Sequence, residues 1–195
     1  MKIGIYVGSF NPPHLGHIKI ANHLVDNYLD KVIIVPTGNY WDKQDLIDIY
    51  HRINMLKFFE NKNIMIDNKN NDVSYTYQLL DNLSHEYKED ELYLILGADN
   101  LINLDKWKNY DKILRYNLIV LNRSNIDALK YLNQLNKITN YIVVDDLSNI
   151  DISSTLIRNK LKEKDYNNIL KLIDERVYKY IEKNNLYGGS LWKTF

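Results

Sequence analysis

The sequence predicts an α/β fold: a doubly wound, mainly parallel sheet with a helical appendage at its C-terminal end. Two observations lead to this class. Short apolar, β-branched runs of strand length alternate along the chain with stretches of helical hydrophobic spacing. After about residue 153 no further strand pattern occurs and only helical spacing continues. Parallel strands need right-handed crossover connections, and helices between consecutive strands supply them.

The predicted elements follow the βαβ rhythm of a Rossmann-like sheet. We expect five or six strands, and the candidates are residues 3–7, 32–35, 64–66, 92–96, 118–121 and 141–144. The predicted helices are 16–28, 46–59, 75–87, 101–114 and 127–135, then 154–164 and 166–183 in the appendage. We expect a single domain over residues 1–187, with its helical C-terminal part from about 153. The double glycine that precedes residue 190 predicts a mobile tail over residues 188–195.

Composition narrows the classes of function. The 195 residues include 25 basic and 25 acidic side chains, so no overall charge favours nucleic acid or an anionic membrane, and an anion must be bound by local groups. The chain has no cysteine, which excludes disulfides, thiolate nucleophiles and cysteine-ligated zinc. No apolar run approaches membrane-spanning length, and the first residues resemble a strand more than a signal peptide. We therefore expect a cytoplasmic protein that binds neither nucleic acid nor membrane.

A first candidate site follows the first predicted strand, in the run GSFNPPHLGH of residues 8–17, after which a helix begins. In open parallel sheets, ligands bind outside the carboxyl ends of the strands, where the N–H groups at the start of a helix favour anions. Gly8 permits close approach of the backbone, and Asn11 can cap the turn. His14 and His17 are three residues apart and face the same way at the helix entry. Their imidazoles can donate hydrogen bonds to phosphate oxygens.

Other interpretations of the histidine pair are less favoured. The two rings could form an ordinary surface pair or part of a metal site. A metal site would need a third and a fourth ligand, and neither cysteine nor a nearby acidic triplet supplies them. The combination of strand, glycine turn, helix start and histidine pair therefore favours a phosphate site.

A second candidate anion site is the run ISSTLIR of residues 152–158. Serine or threonine at a helix N-cap is ordinary, so Ser153, Ser154 and Thr155 alone would predict only a capped helix. Here the cap offers hydroxyls and backbone N–H groups together. One turn further on, Arg158 can form a fork with a phosphate.

Together, the two runs resemble the motifs of the HxGH nucleotidyltransferase superfamily. Within it, the chain is most similar to the nicotinate and nicotinamide mononucleotide adenylyltransferases, and most like the bacterial nicotinate enzymes. Four further segments carry this resemblance: Lys43 with Tyr50-His51-Arg52, Ser74-Tyr75-Thr76, Gly97-Ala98-Asp99-Asn100 with Trp107, and the C-terminal segment from Tyr180 to Tyr187. The resemblance covers the chain to about Tyr187.

The resemblance implies roles that divide by substrate. The residues that it assigns to ATP are Gly8, Ser9, Phe10, His14, His17, Gly97, Asp99, Ile152, Ser153, Ser154 and Arg158. Those that it assigns to the mononucleotide are Lys43, Tyr75, Thr76 and Trp107. His14, His17, Lys43 and Arg158 are its catalytic candidates. These assignments also have ordinary structural interpretations. The Gly-Ala-Asp turn could simply cap a helix, the lysine could be a solvated surface charge, and the aromatic residues could pack in the core. Arg52 lies inside a helix pattern and is interpreted as structural.

The implied reaction is in-line attack of a mononucleotide phosphate oxygen on the α-phosphorus of ATP, forming deamido-NAD and releasing pyrophosphate. Because a phosphate nucleophile is already ionised at neutral pH, catalysis needs alignment and charge neutralisation more than a general base. Mg²⁺ is expected as a cofactor that arrives with ATP. The ATP phosphates would hold it, with no metal site built from protein side chains.

Several alternatives stay open at the level of sequence. The acceptor could be nicotinamide mononucleotide, or the chain could be a related enzyme such as pantetheine-phosphate adenylyltransferase. A class I aminoacyl-tRNA synthetase fragment is disfavoured because the chain lacks a Lys-Met-Ser-Lys-Ser loop. A nucleotide sensor without turnover is a different class. Association into a homo-oligomer is equally open.

Overall fold

The computed structural model describes residues 1–38, 46–122, 126–135, 140–147 and 152–188. This part of the chain contains a six-stranded parallel sheet in the order β3-β2-β1-β4-β5-β6. The strands are β1 Lys2–Gly8, β2 Lys31–Pro36, β3 Ile64–Ile66, β4 Glu91–Gly97, β5 Asn117–Leu121 and β6 Tyr141–Val144. All six predicted strands are therefore confirmed, and the sheet is parallel throughout the described residues.

The helices lie on both faces of this sheet. They are α1 Leu15–Asn27, α2 Ile49–Leu56, α3 Thr76–Glu86, α4 Ala98–Leu101, α5 Tyr110–Ile113, α6 Ala128–Gln134, α7 Ser154–Glu163, α8 Tyr166–Ile169 and α9 Glu175–Lys183. Three short 3₁₀ turns complete the set at Lys57–Phe59, Leu104–Lys106 and Leu186–Gly188. None of the helices in the described ranges is long and apolar enough to cross a membrane.

Period-two alternation explains the two layers. In β1, Ile3 and Ile5 point to one face and pack with α3 to α6, whereas Tyr6 points to the other and packs with α1 and α2. Because both faces are covered, the strands are apolar along almost their whole length. The doubly wound α/β class is thereby confirmed.

A third apolar cluster joins the appendage to the sheet domain. Met55 and Phe59, from α2 and the turn after it, pack with residues of α7, α8 and α9 that include Ile157, Ile169 and Val177. The C-terminal helices therefore pack against the α2 side of the molecule, as the helical appendage predicted from the sequence.

Two predicted helices are wrong in their extent. Residues 101–114 do not form one helix, because Trp107 is extended (φ −73°, ψ 145°) and Asn109 is left-handed (φ 51°), a conformation that asparagine tolerates well. Residues 166–183 form α8 and α9 with a break between them. There Asp174 caps α9, its side chain accepting a hydrogen bond from the Arg176 N–H at 2.8 Å.

The buried central strand supports a stability prediction. Ile5→Ala removes methyl groups from a side chain that is 0% exposed, so we expect the free energy of unfolding to fall by about 2–5 kcal/mol. Leu129→Ala, at a position 50% exposed on α6, is the matched control and should change it by about 0.5 kcal/mol or less. Urea denaturation measures both variants, and equal losses would contradict the assigned core.

Candidate functional site

The strand order places a crevice at the centre of the sheet. From β1 the chain winds to one side through β2 and β3, and β4 then returns to the other side of β1. Ligands of open α/β sheets bind outside the carboxyl ends of the strands where this reversal occurs. The cavity at this point measures about 830 Å³ and is lined by Gly8 at the end of β1, Pro36 at the end of β2 and Gly97 at the end of β4. This volume lies within the range of small-molecule sites.

Many of the residues predicted from sequence meet in this cleft. The cavity wall brings together the end of β1, the start of α3 and the turns that follow β4. The predicted site residues on this wall are Gly8, Ser9, Phe10, His17, Tyr75, Thr76, Gly97, Asp99 and Trp107. Candidates for ATP and candidates for the mononucleotide thus line one continuous cavity.

The run of residues 8–17, which we call the phosphate loop, turns sharply at Phe10. Its backbone there is left-handed (φ 46°), which is rare for a bulky residue, and its ring is buried at 2% exposure. The ring packs edge-on against Tyr6 at 5.4 Å and His17 at 4.8 Å between centroids. A Cβ on Gly8 would approach this ring to 3.1 Å, which explains glycine at the strand end. Aromatic packing therefore sets the course of the loop.

His14 and His17 form a reciprocal cap at the start of α1. The His17 N–H donates to His14 Nδ1 at 3.3 Å, and the His14 N–H donates to His17 Nδ1 at 3.2 Å. Their rings stack with centroids 3.5 Å apart and planes 21° from parallel. Because each Nδ1 accepts a hydrogen bond, each neutral ring carries its proton on Nε2. The backbone thus selects the tautomer in which Nε2–H is the donor.

The second predicted motif does not line the cleft but lies against the phosphate loop. Ser154 Oγ donates to the Pro12 carbonyl at 2.9 Å, and Arg158 Nη1 donates to the Asn11 carbonyl at 2.9 Å. Ser153 caps α7 by accepting from the Leu156 N–H at 3.1 Å. The half-buried Ile152 packs on the third apolar cluster. The structure therefore joins the two motifs directly, although about 140 residues separate them in the sequence.

The turn after β4 is shaped by the contact between Gly97 and Asp99. Gly97 is extended (φ −74°, ψ 154°) at the N-cap position of α4, and Asp99 lies in the first turn. A Cβ added at Gly97 would meet the Asp99 carboxylate. Glycine thus lets this carboxylate turn back over the strand end and line the cavity.

Tyr75 and Trp107 form an aromatic part of the cleft wall. Tyr75 is extended at the N-cap position of α3 and stacks on Tyr77 with centroids 6.0 Å apart. The half-buried Trp107 packs on the core from the extended break after α4. Lys112 Nζ lies 5.4 Å from the centre of the Tyr77 ring. A flat apolar ring could bind at this wall.

Several polar residues of the cleft were not among the residues to which the sequence assigned a role. Thr37, Asn70, Asn100, Lys106 and Lys108 also line the cavity. Asn100, Lys106 and Lys108 stand beside Asp99 or Trp107 in sequence, so the neighbourhood of the motifs could have indicated them. Thr37 follows β2, and its N–H donates to the Gly8 carbonyl at 2.9 Å. Asn70 belongs to a polar loop without any recognisable signal.

The remaining candidates for charge neutralisation are Lys43 and a bound metal ion. Lys43, predicted to contact the mononucleotide phosphate, lies outside the described residues, as does the predicted tail from residue 189 onward. Across the described ranges, no group of three or more histidine, cysteine or acidic side chains is arranged to hold a metal ion.

Comparison with known proteins identifies the family of this chain. A family model described as cytidylyltransferase-like matches residues 5–160. A protein of Clostridium acetobutylicum named "probable nicotinate-nucleotide adenylyltransferase" is 37% identical over 95% of this chain and 98% of its own length. A protein of the same name from Clostridium perfringens is 40% identical over the same shares.

A solved structure shows the same fold. The Plasmodium falciparum nicotinic acid mononucleotide adenylyltransferase complexed with NaAD superposes with a TM-score of 0.81, at 24% identity, over 98% of this chain and 99% of that one. The similarity in sequence to the clostridial proteins extends over nearly the whole chain, and nine of the residues predicted from the motifs line the cleft at the switch point of the sheet. The chain therefore belongs to the cytidylyltransferase-like family and, within it, to the nicotinate-nucleotide adenylyltransferases.

Proposed function

We propose that this protein transfers AMP from ATP to nicotinate mononucleotide, forming deamido-NAD and pyrophosphate. One observation carries the proposal: a single cleft at the switch point joins the phosphate loop to the wall of Tyr75, Thr76 and Trp107. The loop supplies donors for a triphosphate, and the wall supplies aromatic surface for a pyridine ring. The names of the clostridial relatives agree with this assignment.

The proposed step is an in-line displacement at the α-phosphorus of ATP. An oxygen of the mononucleotide phosphate forms the new bond, the bond to the bridging oxygen breaks, and pyrophosphate leaves with that electron pair. The attacking phosphate is largely ionised at neutral pH, so no side chain needs to remove a proton. The protein must align two polyanions and stabilise the charge that shifts to pyrophosphate.

The histidine pair suits the α-phosphate. Both rings are held by the backbone in the tautomer with Nε2 as donor, and His17 reaches the cleft wall. Preorganised donors need little rearrangement during the reaction, which is the main source of electrostatic catalysis. We assign His14 and His17 as phosphate donors and not as proton-transfer groups.

The start of α7 suits the β- and γ-phosphates. Ser153, Ser154 and Arg158 lie at the helix N-terminus beside the phosphate loop. Two nitrogens of Arg158 already bond Asn11 and Thr155, and a guanidinium has five N–H donors, so it can also contact a phosphate. Lys43 is proposed to contact the acceptor phosphate. Gly8, Ser9, Phe10, Gly97, Asp99 and Ile152 complete the proposed ATP site.

Mg²⁺ is proposed to enter as part of the Mg–ATP substrate, where it neutralises charge on the phosphates. The phosphates and water would supply its ligands.

The decisive experiment is ATP-dependent pyrophosphate release with a panel of acceptors. Nicotinate mononucleotide should give the highest kcat/KM, ahead of nicotinamide mononucleotide and of pantetheine phosphate. Higher activity with either of the other two would replace the proposed acceptor. Binding of ATP without pyrophosphate release for any acceptor would identify a nucleotide sensor.

His17→Ala tests the proposed donor. Loss of one preorganised donor should lower kcat by about 10²–10³-fold, while the KM for the mononucleotide changes by about threefold or less. His85→Ala, at the opposite end of α3 from the cleft, is the control and should keep the activity of the wild type. Near-normal turnover of His17→Ala would refute the role.

Two variants of His14 separate its two tasks. His14→Ala removes the helix cap and should lower the free energy of unfolding by about 1 kcal/mol. His14→Asn restores a strong N-cap acceptor and should recover most of this loss. Both should lose turnover, because neither offers the Nε2 donor. Denaturation and steady-state kinetics measure the two effects, and wild-type turnover in His14→Asn would limit His14 to capping.

A further inference from the structure

Asn11 connects the phosphate loop to the C-terminal segment. This side chain is only 4% exposed, and its Oδ1 accepts a hydrogen bond from the Tyr187 hydroxyl at 2.7 Å. The same oxygen accepts a longer bond from the Ile47 N–H at 3.4 Å, and the Asn11 carbonyl accepts from Arg158 at 2.9 Å. Bonds from three distant segments thus end on one residue of the loop.

Arg52 is a second residue that donates a hydrogen bond to the phosphate loop. Its side chain is 0% exposed, and its Nη1 donates to the Ser9 carbonyl at 2.8 Å while its Nε donates to the Ile47 carbonyl at 3.1 Å. Burial lowers the pKa of this guanidinium, but an arginine has so high a starting pKa that it stays charged. A buried cation needs hydrogen-bond acceptors, and here backbone carbonyls of the loop and of the segment before α2 serve.

Tyr187 is held as a permanent donor. Its backbone is left-handed (φ 58°), which turns the ring inward just after α9. Burial raises the pKa of its phenol well above the usual range, against the opposing effect of the Arg158 and Arg52 charges. The phenol therefore stays protonated at any ordinary pH, and the bond to Asn11 persists.

We propose that Tyr187 and Arg52 are positioning residues for AMP transfer, which hold the phosphate loop between Ser9 and Asn11 in the geometry that its donors need. Neither residue lines the cleft. Their bonds end on the residues that flank Phe10, whose left-handed backbone is intrinsically unfavourable and needs support from its surroundings. Small misplacements of groups that align reactants can lower rates strongly. The inference rests on the proposed function.

Tyr187→Phe is the mildest test, since it removes one hydroxyl and keeps the ring. We expect kcat for pyrophosphate release to fall about fivefold to twentyfold, together with weaker ATP binding, because Asn11 loses the shortest of the bonds that hold the loop. Tyr178→Phe is the matched control. It removes a half-buried hydroxyl from α9, whose bond goes to Glu182 and not to the loop, and should keep wild-type kinetics. Melting temperatures should fall equally in the two variants.

Arg52→Lys gives a second test. Lysine keeps the charge but cannot bridge two carbonyls with a fixed fork, so kcat should fall about tenfold or more. Combined with Tyr187→Phe, the loss should be smaller than the product of the single losses, because both residues act through one loop.

The outcomes separate the two proposals. If the wild type is active and Tyr187→Phe has the same kcat and the same ATP affinity, the positioning role is overturned. It is also overturned if Tyr187→Phe loses activity only in proportion to its loss of folded protein. A wild type that binds ATP but releases no pyrophosphate overturns the proposed transfer. In that case the positioning role is decided by the ATP affinity of Tyr187→Phe, measured by calorimetry.

Discussion

The parallel pairing of β1 with β2 and β4 is the constraint on which the site depends. This pairing brings the ends of the three strands to one edge, so that Gly8, Pro36 and Gly97 border the same cavity. Parallel strands must be joined by crossovers, which places the start of α1 directly over the end of β1. The topology of the sheet therefore directs the N-terminus of α1, the end of a helix whose N–H groups favour anions, toward the crevice.

The phosphate loop uses single groups for two tasks. The His14 and His17 rings complete the start of α1 through Nδ1, and the same bonds leave the proton of each neutral ring on Nε2. Gly8 gives room for the Phe10 ring and also lines the cleft at the end of β1. The C-terminal appendage adds further contacts to the loop, since Arg158 and Tyr187 both donate hydrogen bonds to Asn11. The catalytic candidates and the structural supports are therefore contiguous.

Prediction from sequence succeeded where the signal was local and periodic. The strands were found because buried parallel strands are continuous apolar runs, and the loop was found because its glycine, prolines and histidines stand together. The helix predicted over 101–114 was wrong because helical spacing does not reveal that the backbone is extended at Trp107 and left-handed at Asn109. The partners of Arg52 could not be predicted either, because they are backbone carbonyls, of Ser9 and Ile47, and every residue has such a group.

Local chemistry in the sequence was thus enough to predict an α/β sheet, two anion sites and a resemblance to adenylyltransferases. It could not show that the α7 motif contacts the phosphate loop and does not line the cleft. Nor could it show that the Tyr187 hydroxyl donates a hydrogen bond to Asn11. Those relations join residues up to 176 positions apart, and they depend on how helices pack across the third apolar cluster. Packing of this kind follows from the shapes of many side chains together, which no short motif records.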